Sequence, residues 1–388
     1  MNKKIIRITT VPMALKYLLR GQMRFMKENG FEVLMISAEG AEIEEIKEWE
    51  GCRHIIVPMT RKITPFRDLK CLFQLVKIFK REKPDIVHTH TPKAGFLGML
   101  AAKYAGIKVR IHTVAGMPMM EEKGFKYWLL KWIEKLTFLS ANHVWPNSLS
   151  LKQFISGNRL AAERKLKVIG NGSSNGIDTD RFNRATLDIQ TLEKIKLSVN
   201  HLKDNQYLLY IGRLVADKGI KDLVLVFNEL EKKYPHLHLI LVGQYEAQFD
   251  PLPASIIEQI EVNSRISHIN WSEKVEYYMA IADLFVFPSY REGFPNVLLQ
   301  AGSTGLPVVC SNIGGNRDII QNKVTGLTFE VKNRAALKDK IEIALTNPVI
   351  MNEMAQNLSI IIRTGFKREI IWHNILKEYQ TLLNLENQ

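Results

Sequence analysis

The sequence LFVFPSYREGFPNVLLQAGSTGLPVVCSNIGGN spans residues 284–316 and contains two short apolar runs, each followed by a polar loop with glycine. The runs at 284–287 and 307–310 have the length and composition of buried strands, and residues 296–303 between them have the pattern of a short helix. A strand, a helix and a second strand in this order predict a βαβ unit, in which both strands lie parallel in one sheet.

The same alternation continues on both sides of this segment. In the second half of the chain, further strands are predicted at 206–212, 238–242 and 267–269, and helices at 218–233, 256–262, 275–281 and 335–345. In the first half, strands are predicted at 4–8, 32–37, 54–57, 85–88, 108–112, 143–145 and 166–169, and helices at 14–28, 66–82, 95–104 and 124–139. We therefore expect an α/β fold with two doubly wound parallel sheets.

The chain has 388 residues, which is enough for two such domains. A polar stretch without strand character at 179–204 separates the two halves, and the pattern after Pro348 is purely helical. We expect an N-terminal domain over residues 1–185, a C-terminal domain over 200–365, and a last helix over 366–388 that packs on the first domain.

The basic charge of the chain is confined to its first half. Residues 1–180 hold 30 Lys and Arg against 17 Asp and Glu, whereas residues 181–388 hold 23 against 23. The formal charge of +13 therefore lies entirely in the first half. It indicates an anionic partner, either nucleic acid, a lipid diphosphate or an acidic membrane surface, or else a solvated basic face without a partner.

Composition narrows the class of protein. Apolar residues make up 46% and charged residues 24%, which is typical of a folded protein. The three cysteines are widely spaced and fit neither a disulfide framework nor a zinc site, so we expect a reducing, cytoplasmic compartment. Arg7 and Lys16 interrupt the apolar start of the chain, so we expect no signal peptide. No run approaches the roughly 18 apolar residues of a membrane helix.

Cationic and glycine residues follow the predicted strands of the second half, where open α/β sheets bind their ligands. Arg213 follows one strand and Lys218 opens the next helix, a pair that suits a diphosphate but that a structural salt bridge explains equally well. Glu292 follows the strand at 284–287 and cannot belong to an apolar core. Gly293 permits an unusual backbone angle, so this loop is expected to offer free amides at a helix N-terminus.

These motifs resemble those of the family-4 retaining glycosyltransferases, which have the GT-B fold of two Rossmann-like domains facing a cleft. In the second half the resemblance is carried by GR at 212–213, KG at 218–219, FPS at 287–289, EGFP at 292–295, AGSTGLPV at 301–308 and GG at 314–315. In the first half the chain resembles the branch that builds capsular polysaccharide and lipid-linked oligosaccharides, through HTHTPKAG at 88–95, TVAGMP at 113–118 and GIDTDRF at 176–182.

The resemblance implies a donor site in the C-terminal domain. Arg213 and Lys218 would hold the donor diphosphate and stabilise its departing charge, and Glu292, the first acid of the family's Glu-x7-Glu pattern, would contact the donor sugar or its phosphates. These three are the predicted catalytic residues. The other predicted donor-binding residues are Gly212, Gly293, Phe294, Asn296, Gln300, Gly314 and Gly315.

The resemblance also implies an acceptor side in the first half, to which we assign Thr10, His90, Lys93 and His112. The chain departs from the family at two positions. Gln300 stands where the pattern has its second acid, which normally binds ribose hydroxyls, and Ala115 stands where many relatives have a histidine near the reacting sugar.

The predicted function is transfer of a hexose or N-acetylhexosamine, with retention, from a nucleotide diphosphate sugar to an undecaprenyl-diphosphate-linked saccharide. A UDP-sugar is the favoured donor, and the reaction would need no cofactor and no metal. The alternatives are a nucleotide-sugar epimerase of the same fold, and a non-catalytic basic protein that binds membrane or nucleic acid.

Two basic segments, at 67–83 and 121–139, favour a membrane over nucleic acid as the anionic partner. Residues 121–139 interleave lysines with Phe125, Tyr127, Trp128 and Trp132, which suits a helix lying on an anionic membrane, although the tryptophans could equally fill a core. No RNA-binding or helix-turn-helix signature is present. We therefore predict a cytoplasmic protein on the inner face of the plasma membrane.

Two patterns that could indicate a dinucleotide or a metal site are not interpreted as such. The glycine-rich stretch at 170–176 spaces its third glycine one residue late for a dinucleotide fingerprint. His88 and His90 are predicted to point to opposite faces of a strand, so they would not form a metal pair, and His90 at the strand end is the better site residue.

Overall fold

The structure is a computed structural model that describes residues 3–246 and 250–385, and the chain divides into two compact units. Unit 1 contains the described residues up to Gly176 and from Arg368 onward, and unit 2 runs from Ile177 to Lys367.

Unit 1 is built on a six-stranded parallel sheet in the order β3-β2-β1-β4-β5-β6. Its central strand alternates faces, because Ile6 and Ile8 enter one apolar cluster while Ile5 enters the other. The strands are β1 (Lys4–Ile8), β2 (Glu32–Ser37), β3 (Arg53–Ile56), β4 (Ile86–His90), β5 (Val109–Val114) and β6 (His143–Pro146).

Helices cover both faces of this sheet. One apolar cluster contains residues of α4 (Pro65–Glu82), α5 (Pro92–Tyr104), α6 (Gly124–Ser140) and α7 (Leu149–Gly157). The other contains residues of α1 (Pro12–Leu18), α2 (Gln22–Glu28), α3 (Ile43–Glu50) and α16 (Arg368–Leu385). The sheet is therefore buried on both sides, as continuous apolar strands require.

Unit 2 repeats the topology, with the order β12-β11-β10-β7-β8-β9. Both sheets thus have the doubly wound order 3-2-1-4-5-6 when strands are numbered within each unit. The strands are β7 (Gln206–Ile211), β8 (Leu237–Val242), β9 (Ile266–Ile269), β10 (Leu284–Phe287), β11 (Val308–Ser311) and β12 (Leu327–Phe329). The helices are α8 (Ile189–Ser198), α9 (Ile220–Lys233), α10 (Ala254–Val262), α11 (Val275–Ile281), α12 (Asn296–Ser303), α13 (Gly314–Arg317), α14 (Arg334–Thr346) and α15 (Pro348–Gly365).

The first unit ends at Gly176, nine residues before the expected boundary of 185. The segment after it belongs to unit 2, because the Ile177 amide donates to the Phe366 carbonyl at 2.8 Å and Phe182 packs in the apolar cluster of that unit. The polar stretch at 179–204 has no strand, as predicted, but it contains α8.

Two other predicted elements differ from the structure, and one strand was not predicted. The helix expected at 14–28 is two helices, because Gly21 has a left-handed φ of 83° and lies against the Trp372 ring. The strand expected at 166–169 is reduced to an isolated bridge between Leu166 and Val144. Strand β12 was not predicted, because three residues carry too short a pattern.

The last helix belongs to unit 1, as the predicted fold requires; residues 386–388 of the expected span lie outside the described residues. Its Tyr379 is fully buried, and the hydroxyl accepts a hydrogen bond from Arg7 Nη1 at 2.5 Å. The same hydroxyl lies 2.5 Å from His88 Nδ1, and His88 Nε2 lies 2.7 Å from the Thr113 hydroxyl. Since Arg7 can only donate, Tyr379 donates to His88, which is therefore the neutral Nε2–H tautomer.

A second contact fixes the start of this helix. The Trp372 indole N–H donates to Asn175 Oδ1 at 2.6 Å, and Gln22 Nε2 donates to the same oxygen at 2.9 Å. Gln22 in turn accepts a hydrogen bond from Arg7 Nη2. The buried guanidinium of Arg7 is therefore the centre of a polar network that joins β1, β4, α2 and α16.

Replacing Tyr379 by phenylalanine is expected to destabilise unit 1. The change removes one oxygen and leaves buried groups of Arg7 and His88 without their partner, which costs about 2 kcal/mol or more. The melting temperature should fall by several degrees, as measured by circular dichroism or calorimetry. Tyr104→Phe is the matched control, because Tyr104 is 75% exposed. Equal melting temperatures for the two variants would show that the Tyr379 hydroxyl is dispensable.

Candidate active site

The order of strands reverses between β7 and β10 of unit 2. From β7 the chain continues to β8 on one side, whereas β11 lies on the other side of β10. The loops that follow β7 and β10 therefore begin side by side and leave in opposite directions, which opens a crevice at the carboxyl edge of the sheet. The predicted residues Gly212, Arg213 and Lys218 lie on the first loop, and Glu292 and Gly293 lie on the second.

Gly219 allows these two loops to touch. It has a left-handed φ of 70°, and a Cβ at this position would lie 2.3 Å from the Pro288 carbonyl oxygen. Any side chain here would collide with backbone that cannot swing aside. The glycine after Lys218 is therefore required by the close approach of the loops.

Two adjacent ion pairs then join the loops. Lys218 Nζ lies 2.7 Å from Glu292 Oε1, and Arg291 Nη2 lies 2.9 Å from Asp217 Oδ2. The Tyr290 amide also donates to the Asp217 carbonyl at 2.8 Å. Consecutive residues on one loop thus pair with consecutive residues on the other, which fixes their register.

Of the two predicted cations, Lys218 is less exposed than Arg213. The Lys218 and Glu292 side chains are 13% and 16% exposed, so solvent screens them weakly. Arg213 is 53% exposed and pairs with Glu246 at 2.8 Å. Sequence reasoning missed Glu246, because it follows a different strand, β8, and carries no motif.

The fully buried Tyr210 lies beneath this site, and its hydroxyl donates to the Arg213 carbonyl at 3.1 Å. Burial, followed by the charges of Glu292 and Asp217, raises the pKa of this phenol well above its ordinary value. Tyr210 therefore stays protonated and supports the backbone of Arg213.

Two short helices begin at the same edge. Asn296 is the first residue of α12 and Gly314 the first of α13, so both present first-turn amides. A Cβ at Gly315 would lie 2.6 Å from the Gly293 carbonyl oxygen and 2.8 Å from that of Glu292. The start of α13 is therefore packed directly against the loop that carries Glu292.

Several details of the donor-side prediction need correction. Gly293 does not have the left-handed φ expected of it; the close contact involves its carbonyl, and Gly315 is the position that must lack a side chain. The Phe294 side chain is 8% exposed and packs against Phe366 with ring centroids 5.7 Å apart, so only its backbone could meet a ligand. Gln300 is partly exposed one helical turn after Asn296, on the same face of α12.

Asn316 is a structural residue of this edge that the motifs did not reveal. It is fully buried, and its Nδ2 donates to the Ser311 carbonyl at 2.9 Å and the Ser311 hydroxyl at 3.1 Å. That hydroxyl donates onward to the Ser289 carbonyl. The chain of bonds ties α13 to the loop after β10.

In unit 1, the strand order reverses between β1 and β4, and Thr10 lies just after the first of these strands. Its hydroxyl lies 2.8 Å from that of Thr91 and accepts a hydrogen bond from the Ala94 amide at 3.2 Å. Thr91 has a left-handed φ of 71°, which is rare for a β-branched residue. Thr10 therefore holds the start of α5 in place.

Lys93 and His112, both predicted on the acceptor side, make internal contacts. Lys93 Nζ lies 2.6 Å from Asp68 Oδ2, and the two side chains are 10% and 15% exposed. His112 is 2% exposed and lies 2.9 Å from the Thr89 hydroxyl, while a Cβ at Gly95 would lie 2.3 Å from its ring. Burial lowers the pKa of His112 to about 4. Its side chain fills the space between the sheet and α5, which corrects its placement on the acceptor side.

His90, by contrast, lies at the end of β4 with its Nε2 buried and without a hydrogen-bond partner among the described residues. The prediction that His88 and His90 point to opposite faces of the strand is wrong. Their ring centroids are 4.3 Å apart, because residues two apart on a strand share a face. Within the described ranges, no group of three or more His, Cys, Asp or Glu side chains is arranged to hold a metal ion.

Comparison with known proteins identifies the family. The family model named glycosyl transferase 4-like domain matches residues 17–172, and glycosyl transferases group 1 matches residues 193–363. The capsular polysaccharide biosynthesis glycosyltransferase CapM of Staphylococcus aureus is 34% identical over 98% of either chain. The chain belongs to these glycosyltransferases.

Two further relatives extend the comparison. The UDP-Gal:alpha-D-GlcNAc-diphosphoundecaprenol alpha-1,3-galactosyltransferase of Escherichia coli is 28% identical, over 94% of this chain and 91% of its own. Anabaena HepE in complex with UDP and glucose superposes with a TM-score of 0.80 at 17% identity, over 98% of this chain and 100% of that one. The latter likeness confirms the GT-B fold, and the family match favours a transferase over the epimerase and the non-catalytic binder.

Replacing Gly315 by alanine is expected to disable the transferase. The new methyl group would collide with backbone oxygens of Glu292 and Gly293, so the loop carrying Glu292 must move, and a shift of about 1 Å can cost about 100-fold in rate. Glycosyl transfer should fall by that order, while circular dichroism stays native. Gly157→Ala is the control, because a Cβ there meets no atom within 4 Å. A normal rate of transfer by Gly315→Ala would show that the packing of α13 on this loop is not needed for activity.

Proposed function

We propose that this glycosyltransferase moves a hexose or N-acetylhexosamine from a UDP-sugar to an undecaprenyl-diphosphate-linked saccharide, with retention of configuration. The observation that carries the proposal is the weakly exposed Lys218–Glu292 pair at the crevice of unit 2. A lysine ammonium forms strong charge-assisted hydrogen bonds with phosphate oxygens as it does with a carboxylate.

The diphosphate of the donor takes the place of the carboxylate. Lys218 moves to the phosphate oxygens, aided by Arg213 and by the first-turn amides of α12 and α13, which favour negative charge. Glu292 is then free to accept hydrogen bonds from the hydroxyls of the donor sugar. The charge that develops on the leaving diphosphate is stabilised by groups already in position, an effect worth about 100- to 1,000-fold in rate per group.

Retention follows if the acceptor attacks the face from which the diphosphate departs. The bond between the anomeric carbon and the phosphate oxygen breaks as the bond to the acceptor oxygen forms. The acceptor proton passes to a phosphate oxygen of the leaving UDP. The reaction needs no base from the protein in this scheme.

UDP is the favoured nucleotide on two grounds. The name of the E. coli relative specifies a UDP-sugar donor, and HepE binds UDP and glucose in a site of the same fold. At the position of the family's second acid, Gln300 offers a neutral carbonyl to the ribose hydroxyls instead of a charged oxygen. We therefore expect nucleotide affinity to depend mainly on the diphosphate.

We assign the acceptor from the name of a relative and from the basic charge of the first half of the chain. The E. coli enzyme is named for a saccharide on diphosphoundecaprenol, and the excess basic charge in the first half of this chain suits an anionic lipid at a membrane surface. None of the helices in the described part of the chain is long and apolar enough to cross a bilayer. Contact with the membrane is therefore proposed to be peripheral.

Helix α6 supplies a surface for that contact. A continuous stripe of this helix is exposed, namely Phe125, Trp128, Leu129, Trp132, Leu136 and Leu139. Lys131 lies 5.1 Å from the ring centre of Trp128, and Lys135 lies 5.9 Å from that of Trp132. Large apolar groups flanked by lysines are the composition of a helix that binds an anionic bilayer surface.

Lys218→Ala tests the donor site. UDP, GDP, ADP and TDP are titrated against the protein by calorimetry, and UDP is expected to bind the wild type. The variant should lose about 100-fold or more in turnover with a UDP-sugar, and it should bind UDP more weakly. Lys221→Ala is the control, since Lys221 is exposed on α9 three residues later. Near-normal turnover by Lys218→Ala would remove the diphosphate site from the proposal.

Replacing Trp128 and Trp132 together by glutamine tests the membrane surface. Binding to vesicles of anionic phospholipid, measured by co-sedimentation, should fall at least tenfold, because the change removes both tryptophans from the centre of the apolar stripe. Wild-type binding should also weaken as salt is raised. Trp271→Gln is the control, because Trp271 of unit 2 is equally exposed. Unchanged vesicle binding by the double variant would assign the stripe another role.

A further inference from the structure

A small cavity lies at the carboxyl edge of the unit 1 sheet. It is lined by residues that end or follow three neighbouring strands, among them His90 of β4, Thr113 of β5 and Asn147 after β6. The turn containing Ser173 and Ser174 and the side chain of Ile375 on α16 complete its wall. Because α16 and this turn are held by the Arg7 network, the cavity has a fixed shape.

Three residues that line this cavity each carry a buried polar atom without a hydrogen-bond partner in the described part of the chain. His90 Nε2, Asn147 Oδ1 and Ser174 Oγ are buried, and none makes a hydrogen bond to any other described residue. His90 and Asn147 are only 5% and 6% exposed. Buried polar groups are normally paired, since leaving one unpaired costs about 1–3 kcal/mol. Three such atoms around one cavity therefore indicate that a bound group completes them.

The lining determines the charge of that group. Among the residues that the structure describes, no Asp, Glu, Lys or Arg side chain lines the cavity. Burial, followed by the charges of Arg7 and His112, lowers the pKa of His90 well below its ordinary value, so the imidazole is neutral. A neutral imidazole, an amide and a hydroxyl together offer both donors and acceptors. They suit a neutral group that both donates and accepts, whereas a phosphate would need donors alone.

The volume of the cavity limits the size of the bound group. The cavity is about 10 Å³, which is the space for one water-sized group and is too small for a sugar ring. The walls beside the polar atoms are apolar, formed by Trp145, Pro146 and Ile169. One hydroxyl group, carried by a larger molecule outside, matches both the volume and the polarity.

We propose that this cavity binds one hydroxyl group of the acceptor saccharide, held by His90, Asn147 and Ser174. The inference rests on the proposed function, because it takes the acceptor to be a saccharide that binds unit 1. Asn147 and Ser174 then select among acceptors by recognising a hydroxyl at one ring position. A site built to bond a hydroxyl rejects an analogue that lacks it.

Ser174→Ala tests this recognition, since it removes an oxygen that no described residue bonds. The probe is GlcNAc-diphosphoundecaprenol, together with any lipid-linked saccharide of a panel to which the wild type transfers. The variant should raise the acceptor KM about five- to tenfold, the loss expected for one hydrogen bond. The donor KM should stay within twofold. Ser174→Val, which fills the cavity with carbon, should raise the acceptor KM further.

Acceptor analogues lacking single hydroxyls connect the cavity to a ring position. For the wild type, one monodeoxy analogue should have an acceptor KM raised by about the same five- to tenfold factor. For Ser174→Ala, the same analogue should raise the acceptor KM no further. Ser198→Ala in unit 2 is the control. With this variant, the analogue should raise the acceptor KM as much as it does with the wild type. A double-mutant cycle of this kind isolates the contact from general effects on folding.

Two outcomes would overturn the inference, and they are distinguishable. If the wild type transfers sugar but Ser174→Ala changes only the melting temperature, the cavity holds a structural water and plays no part in acceptor binding. If the wild type transfers to no lipid-linked saccharide, the proposed function fails and this inference fails with it.

Discussion

The reversal of strand order between β7 and β10 is the constraint on which the candidate active site depends. Parallel strands that wind outward in opposite directions leave a crevice where they meet, and the chain bridges it with Lys218–Glu292 and Arg291–Asp217. The glycines at 219 and 315 are explained by this constraint, because each lies where a side chain would push the bridging loops apart. Charge, close backbone contact and helix N-termini are thereby concentrated at one edge of the sheet.

Unit 1 has the same topology but uses different chemistry at its own reversal. Hydroxyls of Thr10 and Thr91 meet there, where unit 2 has an ion pair. Two buried histidines, His88 and His90, also lie near this edge, and burial lowers the pKa of both, so they remain neutral. In the proposed function, the charged edge of unit 2 binds the donor diphosphate and the hydrogen-bonding edge of unit 1 binds hydroxyls of the acceptor.

The sequence predicted both sheets and the positions of Lys218 and Glu292 just after strands, because strand periodicity and strand-end positions are local features, but it did not predict the ion pair between them. It could not predict contacts set by packing at long range. Lys93 was predicted on the acceptor side, but it pairs with Asp68 on another helix. His112 lies next to a strand end, yet the direction of its side chain depends on the space left by Gly95. Arg7 and Tyr379, which anchor α16, are 372 residues apart, and no motif connects them.

A crystal structure of the protein with a UDP-sugar tests the central claim most directly. The account predicts that the diphosphate lies within hydrogen-bond distance of Lys218 Nζ and the first-turn amides of α13, and that Glu292 has left Lys218 for the sugar hydroxyls. A UDP-sugar bound elsewhere, with the 2.7 Å Lys218–Glu292 pair intact, would contradict it.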